Sequence, residues 1–180
     1  MAILETSLSE DVVSRLIELS CDWENEGSCH GYRANTSDDL EGRRIFLAME
    51  DGQIWGYLFG KMETANKTNS IITEGTPFFE LEELYVRPAV RSKGIGRKMF
   101  FHVEEVLTQE GVPFLFLSTA TKNWKAILHF YLDELDMEFW NPRLFKRLTL
   151  RNDHLLKTTK PPPQKTAAGF LCKSDVFMLQ

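Results

Sequence analysis

No stretch of the 180-residue chain is apolar for long enough to cross a membrane. The start, MAILETSLSEDVV, lacks the basic opening and long apolar core of a secretion signal, so the sequence predicts a cytosolic protein. Cysteine is scarce. Cys21, Cys29 and Cys172 are odd in number and show no C-x-x-C spacing, which argues against a disulfide framework. His30 beside Cys29 is a single adjacent pair, too little for a metal site, and no metal is expected. Basic charge is short as well: a net charge of −5 leaves no general cationic face for nucleic acid. An acidic surface better suits a cationic partner.

What is present is a globular composition, 43% hydrophobic and 26% charged, in a length that allows one well-buried core rather than two. SLSEDVVSRLIELSCDWENEG reads as an amphipathic helix that ends near Gly27, with a short second helix capped by Ser37 further on. RRIFLAMEDGQIWGYLFGKM is two strand-like runs around Asp51-Gly52, the signature of an antiparallel hairpin. FFELEELYV alternates. Phe79, Leu81, Glu83 and Tyr85 share one face; Glu80, Glu82, Leu84 and Val86 share the other. A helix from about Arg97, a short buried strand in VPFLFLSTA, a helix in TKNWKAILHFYLDELDM and closing strands in EFWNPRLFKRLTL complete an α/β (α+β) layer arrangement. Residues 1–150 are expected to form one domain, and 151–180 a proline-rich, linker-like tail with an apolar end.

The stretch YVRPAVRSKGIGRKMF concentrates five basic residues around two glycines, between a strand and a helix. A helix start offers unpaired N–H groups and a partial positive charge, and glycines let an anion approach the backbone. The cluster therefore reads as a site for one polyanionic ligand on an otherwise acidic protein. A dinucleotide fingerprint would need a third glycine where Met99 stands, and a Walker A loop is absent.

Val86, Pro88, Arg91, Gly94 and Gly96 in LYVRPAVRSKGIG resemble the acyl-CoA pyrophosphate loop of the GNAT superfamily of N-acetyltransferases, and the order of elements over most of the first 150 residues fits as well. The resemblance implies a mixed, mostly antiparallel central sheet flanked by helices, with the strand before the loop splayed from the next strand around acetyl-CoA. It assigns the pantetheine arm to backbone groups of Leu84, Tyr85 and Val86. It assigns the pyrophosphate to Arg91, Ser92, Lys93, Gly94, Ile95, Gly96 and Arg97, and places Asn123 near the cofactor. Tyr131 becomes the general acid, one residue beyond the usual spacing, so that a slight shift or a local bulge in its helix is required. Glu80 or Glu82 becomes the base that takes a proton from an ammonium, or holds the cationic substrate. Glu83 is expected to face away.

The acceptor implied is a primary amine on a small molecule or peptide. The segment DWENEGSCHGYRANTSDD offers Asp22, Glu24, Glu26, Asp38 and Asp39 to attract it, and Trp23 and Tyr32 to stack on it. A homodimer is a further implication of the resemblance. Two other readings stand beside it: a non-catalytic acyl-CoA-binding or sensing domain, and a nucleotide-phosphate binder.

Overall fold

The chain opens on a strand that its periodicity does not signal. In the computed structural model, which describes residues 1–141 and Leu144, β1 (Ala2–Thr6) pairs antiparallel with β2 (Arg44–Glu50). β1 is short, lies at the sheet edge and is largely exposed, so neither alternation nor length marks it in the sequence. Arg44 holds it in place. Its guanidinium takes Glu5 at 2.7 and 2.9 Å, and Glu110 at 2.6 and 2.8 Å.

Helix α1 (Glu10–Glu26) follows, started by Ser9, whose side chain accepts the Val12 N–H, and stopped by Gly27 at φ 58°. It buries Leu16 and Leu19 against one face of the sheet. A four-residue helix, α2 (Ser37–Leu40), is entered through Thr36 rather than Ser37, because the Asp39 carboxylate accepts both the Thr36 N–H and its hydroxyl, at 2.9 and 3.0 Å. β2 turns into β3 (Gln53–Thr64) through Asp51 and Gly52, both at positive φ, as the hairpin signal predicts.

β4 (Pro77–Val86) leads through a 3-10 turn at Pro88–Val90 into α3 (Ile95–Gln109). β5 (Leu115–Leu117), α4 (Trp124–Leu128) and a π-helical segment at His129–Glu134 complete the described elements. The sheet order is β1-β2-β3-β4-β5, antiparallel throughout except for the β4–β5 pair. Met99, Phe100, Val103 and Leu107 of α3 pack with Phe46, Leu58 and Phe79 on the second face. Each such side chain, fully buried, contributes roughly 1.5–3 kcal/mol.

Two features of β4 shape everything that follows. First, the alternation expected across FFELEELYV does not hold. Phe59 pairs with Glu83 and Gly60 with Leu81, so Glu82 is an extra residue in a β-bulge. Glu80 thereby joins Glu83 and Tyr85 on the α1 face, while Leu81, Leu84 and Val86 lie toward α3. Gly60 permits the bulge: a Cβ there would stand 2.2 Å from the Glu80 carbonyl oxygen and 2.6 Å from the Phe79 ring. Second, β4 and β5 pair only at Phe79–Leu115, Glu80–Phe116 and Leu81–Leu117, then part.

Of the closing strands expected in residues 138–150, residues 138–141 and Leu144 form no strand, and the others lie outside the described residues. So does the tail at 151–180, with its apolar end and Cys172. Among the described residues Cys21 and Cys29 form no disulfide with each other. Among the described residues no helix is long and apolar enough to cross a membrane, and no group of three or more potential metal-ligating side chains occurs.

Candidate active site

The parting of β4 from β5 opens a cleft of about 630 Å³. Strand geometry decides what β4 presents to it. The Arg87 N–H bonds the Trp55 carbonyl on the β3 side, so alternation turns the backbone groups of Tyr85 toward β3 and those of Leu84 and Val86 toward the gap. With no β5 residue opposite them, these groups are placed to pair with an extended ligand.

At one end of the gap lies the start of α3. Gly94 caps it at φ 74°, and the first helical hydrogen bond runs from the Lys98 N–H to the Gly94 carbonyl at 3.0 Å. The N–H groups of Ile95, Gly96 and Arg97 therefore have no intrahelical acceptor. Ser92 also takes a left-handed conformation, φ 59°, so the loop turns twice within three residues, as anion-binding nests do. Ser92, Gly94, Ile95, Gly96 and Arg97 all line the cleft; Lys93 is exposed outside it. Arg91 lines it too, but its guanidinium is held by Glu26 at 2.7 and 2.8 Å.

The last helix closes the other wall. Asn123 caps α4 and lines the cleft. Beyond Leu128 the helix widens into the π-helical segment, whose extra residue per turn alters the register at Phe130 and Tyr131. Phe130 packs on the phosphate-type loop: a Cβ on Gly96 would lie 3.3 Å from its ring. Tyr131 lines the cleft, edge-on to Phe130 with centroids 5.1 Å apart. Burial, with a smaller contribution from Cys29, pushes its phenol well above the usual range, so it stays a proton donor at neutral pH.

The glutamates of β4 divide into three environments. Glu82 is taken by Arg43, with contacts of 2.9 and 3.3 Å. Glu80 is half-buried in the cleft; burial first, then the neighbouring Glu82 charge, raise its pKa to about 7, against a smaller opposing pull from Lys61. Glu83, expected to face away, is instead a buried lining residue. Its Oε2 accepts from Tyr57 at 2.8 Å, from Asn35 at 2.9 Å and from Tyr32 at 3.2 Å. Tyr32 spends its one proton on Glu83, so the Ser20 hydroxyl, 2.9 Å away, must donate to it; Ser20 in turn accepts the Asn35 N–H at 2.6 Å.

This network fixes the cleft wall on the α1 side. Trp23 stacks near Tyr32 and Tyr85, with centroids 4.4 and 5.6 Å apart. Of the acidic residues in the segment 22–39, Glu26 at the end of α1 reaches the cleft, whereas Asp39 of α2 is engaged by Arg33 and Thr36. Ser20, Asn35 and Tyr57 carry no sequence signal for this role: the bonds that define it link loop, helix and strand residues far apart in the chain. A bridge at Cys29–Thr121, with bonds from the His30 N–H to Ala120 and from the Lys122 N–H to Ser28, both 2.8 Å, joins the loop after α1 to the loop after β5.

A sheet parted beside an anion-receptive helix start, with a donor phenol and a high-pKa carboxyl in one cleft, has the parts an acyl-transfer site needs. Residues 11–136 match the acetyltransferase (GNAT) family, and the chain belongs to that family; its general chemistry is acetyl transfer. Among solved structures, the BH1408 protein from Bacillus halodurans (a tetramutant) is similar in fold: TM-score 0.58, 16% identity, over 82% of this chain and 100% of that one. The aminoglycoside 6'-N-acetyltransferase AAC(6')-IG from Acinetobacter haemolyticus gives a TM-score of 0.57 at 19% identity, over 83% and 99% of the two chains. The aminoglycoside acetyltransferase meta-AAC0020, from an uncultured soil metagenomic sample and in complex with sisomicin, gives 0.58 at 19% identity, over 82% and 97%. No relative among curated protein sequences matches the chain.

Proposed function

We propose that the protein transfers an acetyl group from acetyl-CoA to a primary amine, by direct attack within a ternary complex. The observation that carries this reading is the meeting, in one cleft, of the unpaired edge of β4, the open N-terminus of α3, Glu80 and Tyr131. Acetyl-CoA supplies an activated acyl thioester with phosphates that need fixed donors. The chain offers those donors: the N–H groups of Ile95, Gly96 and Arg97 for phosphate, and the backbone of Leu84 and Val86 for the amide-bearing arm.

Glu80 is the base. With a pKa of about 7 it is part-ionised at neutral pH and accepts a proton from an ammonium directly or through a water. Glu82, committed to Arg43, holds the bulge and keeps Glu80 high. A backbone N–H at Leu84 or Val86 faces the gap where negative charge would develop on a carbonyl oxygen. Tyr131 keeps its proton for a leaving thiolate. Two of the similar structures are aminoglycoside acetyltransferases, which supports an amino group as the acceptor for this chain too.

The test is release of free CoA across a panel of amines, each acceptor read by its mass shift. Turnover of at least one amine supports the proposal. Acetyl-CoA binding without turnover of any amine favours the sensing-domain reading, and a thermal shift with ATP or NAD but none with acetyl-CoA favours a nucleotide binder.

A further inference from the structure

Glu26 sits where helix stability does not want it. It is the last residue of α1, a position at which the helix dipole favours a cation, and the final turn holds no basic residue. Its carboxylate instead takes both terminal nitrogens of Arg91, at 2.8 and 2.7 Å, and the Tyr85 hydroxyl at 3.1 Å. The guanidinium lies over the Tyr85 ring, 5.4 Å from its centroid. Arg91 Nε donates to the Val86 carbonyl at 2.8 Å, the group that faces the gap between the strands. A carboxylate beside an aromatic face is the chemistry that holds an organic cation. Here the occupant is the chain's own arginine, reaching back from the phosphate-type loop.

We propose that Glu26 and Tyr85 form a cation-binding corner for the acceptor, filled by Arg91 until cofactor phosphate draws the guanidinium away. The proposal rests on the acetyl-CoA reading above. The same movement frees the Val86 carbonyl for the extended arm of the cofactor. The corner then offers a carboxylate and a ring face to an ammonium, with Trp23 beside it. Each ligand competes with one half of the same ion pair, so each helps the other to bind, and linkage makes that help reciprocal. The size is modest, because the pair is partly exposed, 42% for Arg91 and 22% for Glu26.

The experiment titrates CoA by calorimetry, at low ionic strength, into the wild type, Glu26→Gln, Arg91→Gln and the double variant. Glu26→Gln is expected to bind CoA about two- to fivefold tighter than wild type. On the Arg91→Gln background the same substitution is expected to change Kd by less than about 1.5-fold, since the competitor is already gone. Equal CoA affinity in wild type and Glu26→Gln overturns the proposal. So does an equal gain on the Arg91→Gln background, the mark of a plain field effect. If wild type binds no CoA at all, the cofactor reading fails and this inference fails with it. A second titration uses 1,4-diaminobutane without CoA: Arg91→Gln, its corner vacated, is expected to bind it at least about threefold tighter than the double variant does. Equal or absent binding in these two variants overturns the cation corner. Glu26→Gln loses the Arg91 pair but also removes an anion from a helix C-terminus, so its unfolding midpoint should stay close to that of wild type, which separates lost binding from lost fold.

Discussion

The Tyr57 hydroxyl donates to Glu83 at 2.8 Å, from the neighbouring strand and from beneath the cleft floor. Both side chains are buried, and Asn35 and Tyr32 complete the carboxylate's surroundings. Burial and the Glu83 charge both push the phenols of Tyr32 and Tyr57 up, so the donors keep their protons throughout the physiological range. Removing the acceptor leaves several buried donors unsatisfied. Glu83→Ala is expected to lower unfolding free energy by about 3 kcal/mol or more, and Tyr32→Phe by about 1 kcal/mol, both measured by urea denaturation. A Glu83→Ala protein as stable as wild type would show that the network does not hold this wall of the cleft.

Glu80 predicts a pH signature. Its pKa of about 7 exceeds the ordinary 4.5, so ionisation opposes folding, and its contribution to stability falls as pH rises from about 4.5 to about 7. Glu80→Gln should therefore gain stability relative to wild type across that window. The same carboxyl should give kcat/KM an acid limb near pH 7. Glu80→Gln is expected to lose that limb and about a hundredfold or more in kcat. A wild-type limb that survives the substitution unchanged assigns the base elsewhere.

Tyr131 is tested by removing one oxygen. Tyr131→Phe keeps the ring against Phe130 and Phe100 but has no proton to give. The expected outcome is kcat down about a hundredfold with acceptor KM little changed. Equal kcat across pH 6–10 would remove the residue from the acid role.

Gly60 makes a structural prediction. Its absent Cβ is what lets the Glu80 carbonyl and the Phe79 ring approach so closely. Gly60→Ala should cost about 1–3 kcal/mol and displace the bulge, carrying Glu80 with it. Thermal unfolding and the pH–rate profile report the two effects separately. An unchanged profile alongside normal stability would mean the bulge does not need this glycine.

The hairpin, α1 with its end at Gly27, and the loop before α3 were legible because each is encoded locally, by a turn dipeptide, a terminating glycine or a glycine pair. The parting of β4 from β5 came from the family resemblance, and the pairing that ends at Leu81–Leu117 agrees with it. β1 was not legible: five largely exposed residues at an edge carry too little pattern. The face of Glu83 was read wrongly for a different reason. Alternation assumes an unbroken ladder, and the break at Glu82 depends on Gly60 of the neighbouring strand, a relation that no window on β4 contains. Asn35 and Tyr57 stayed silent because a buried carboxylate recruits donors through space.

The bridge between the loops at Cys29 and Thr121 has a use beyond closing the cleft wall. It consists of two backbone hydrogen bonds, and separating the walls at that end breaks both. The amide protons of His30 and Lys122 therefore exchange with solvent only as often as the cleft breathes. Their deuterium uptake is a built-in gauge of opening, readable without substrate, label or turnover, and it reports on the wall itself rather than on whatever passes through it.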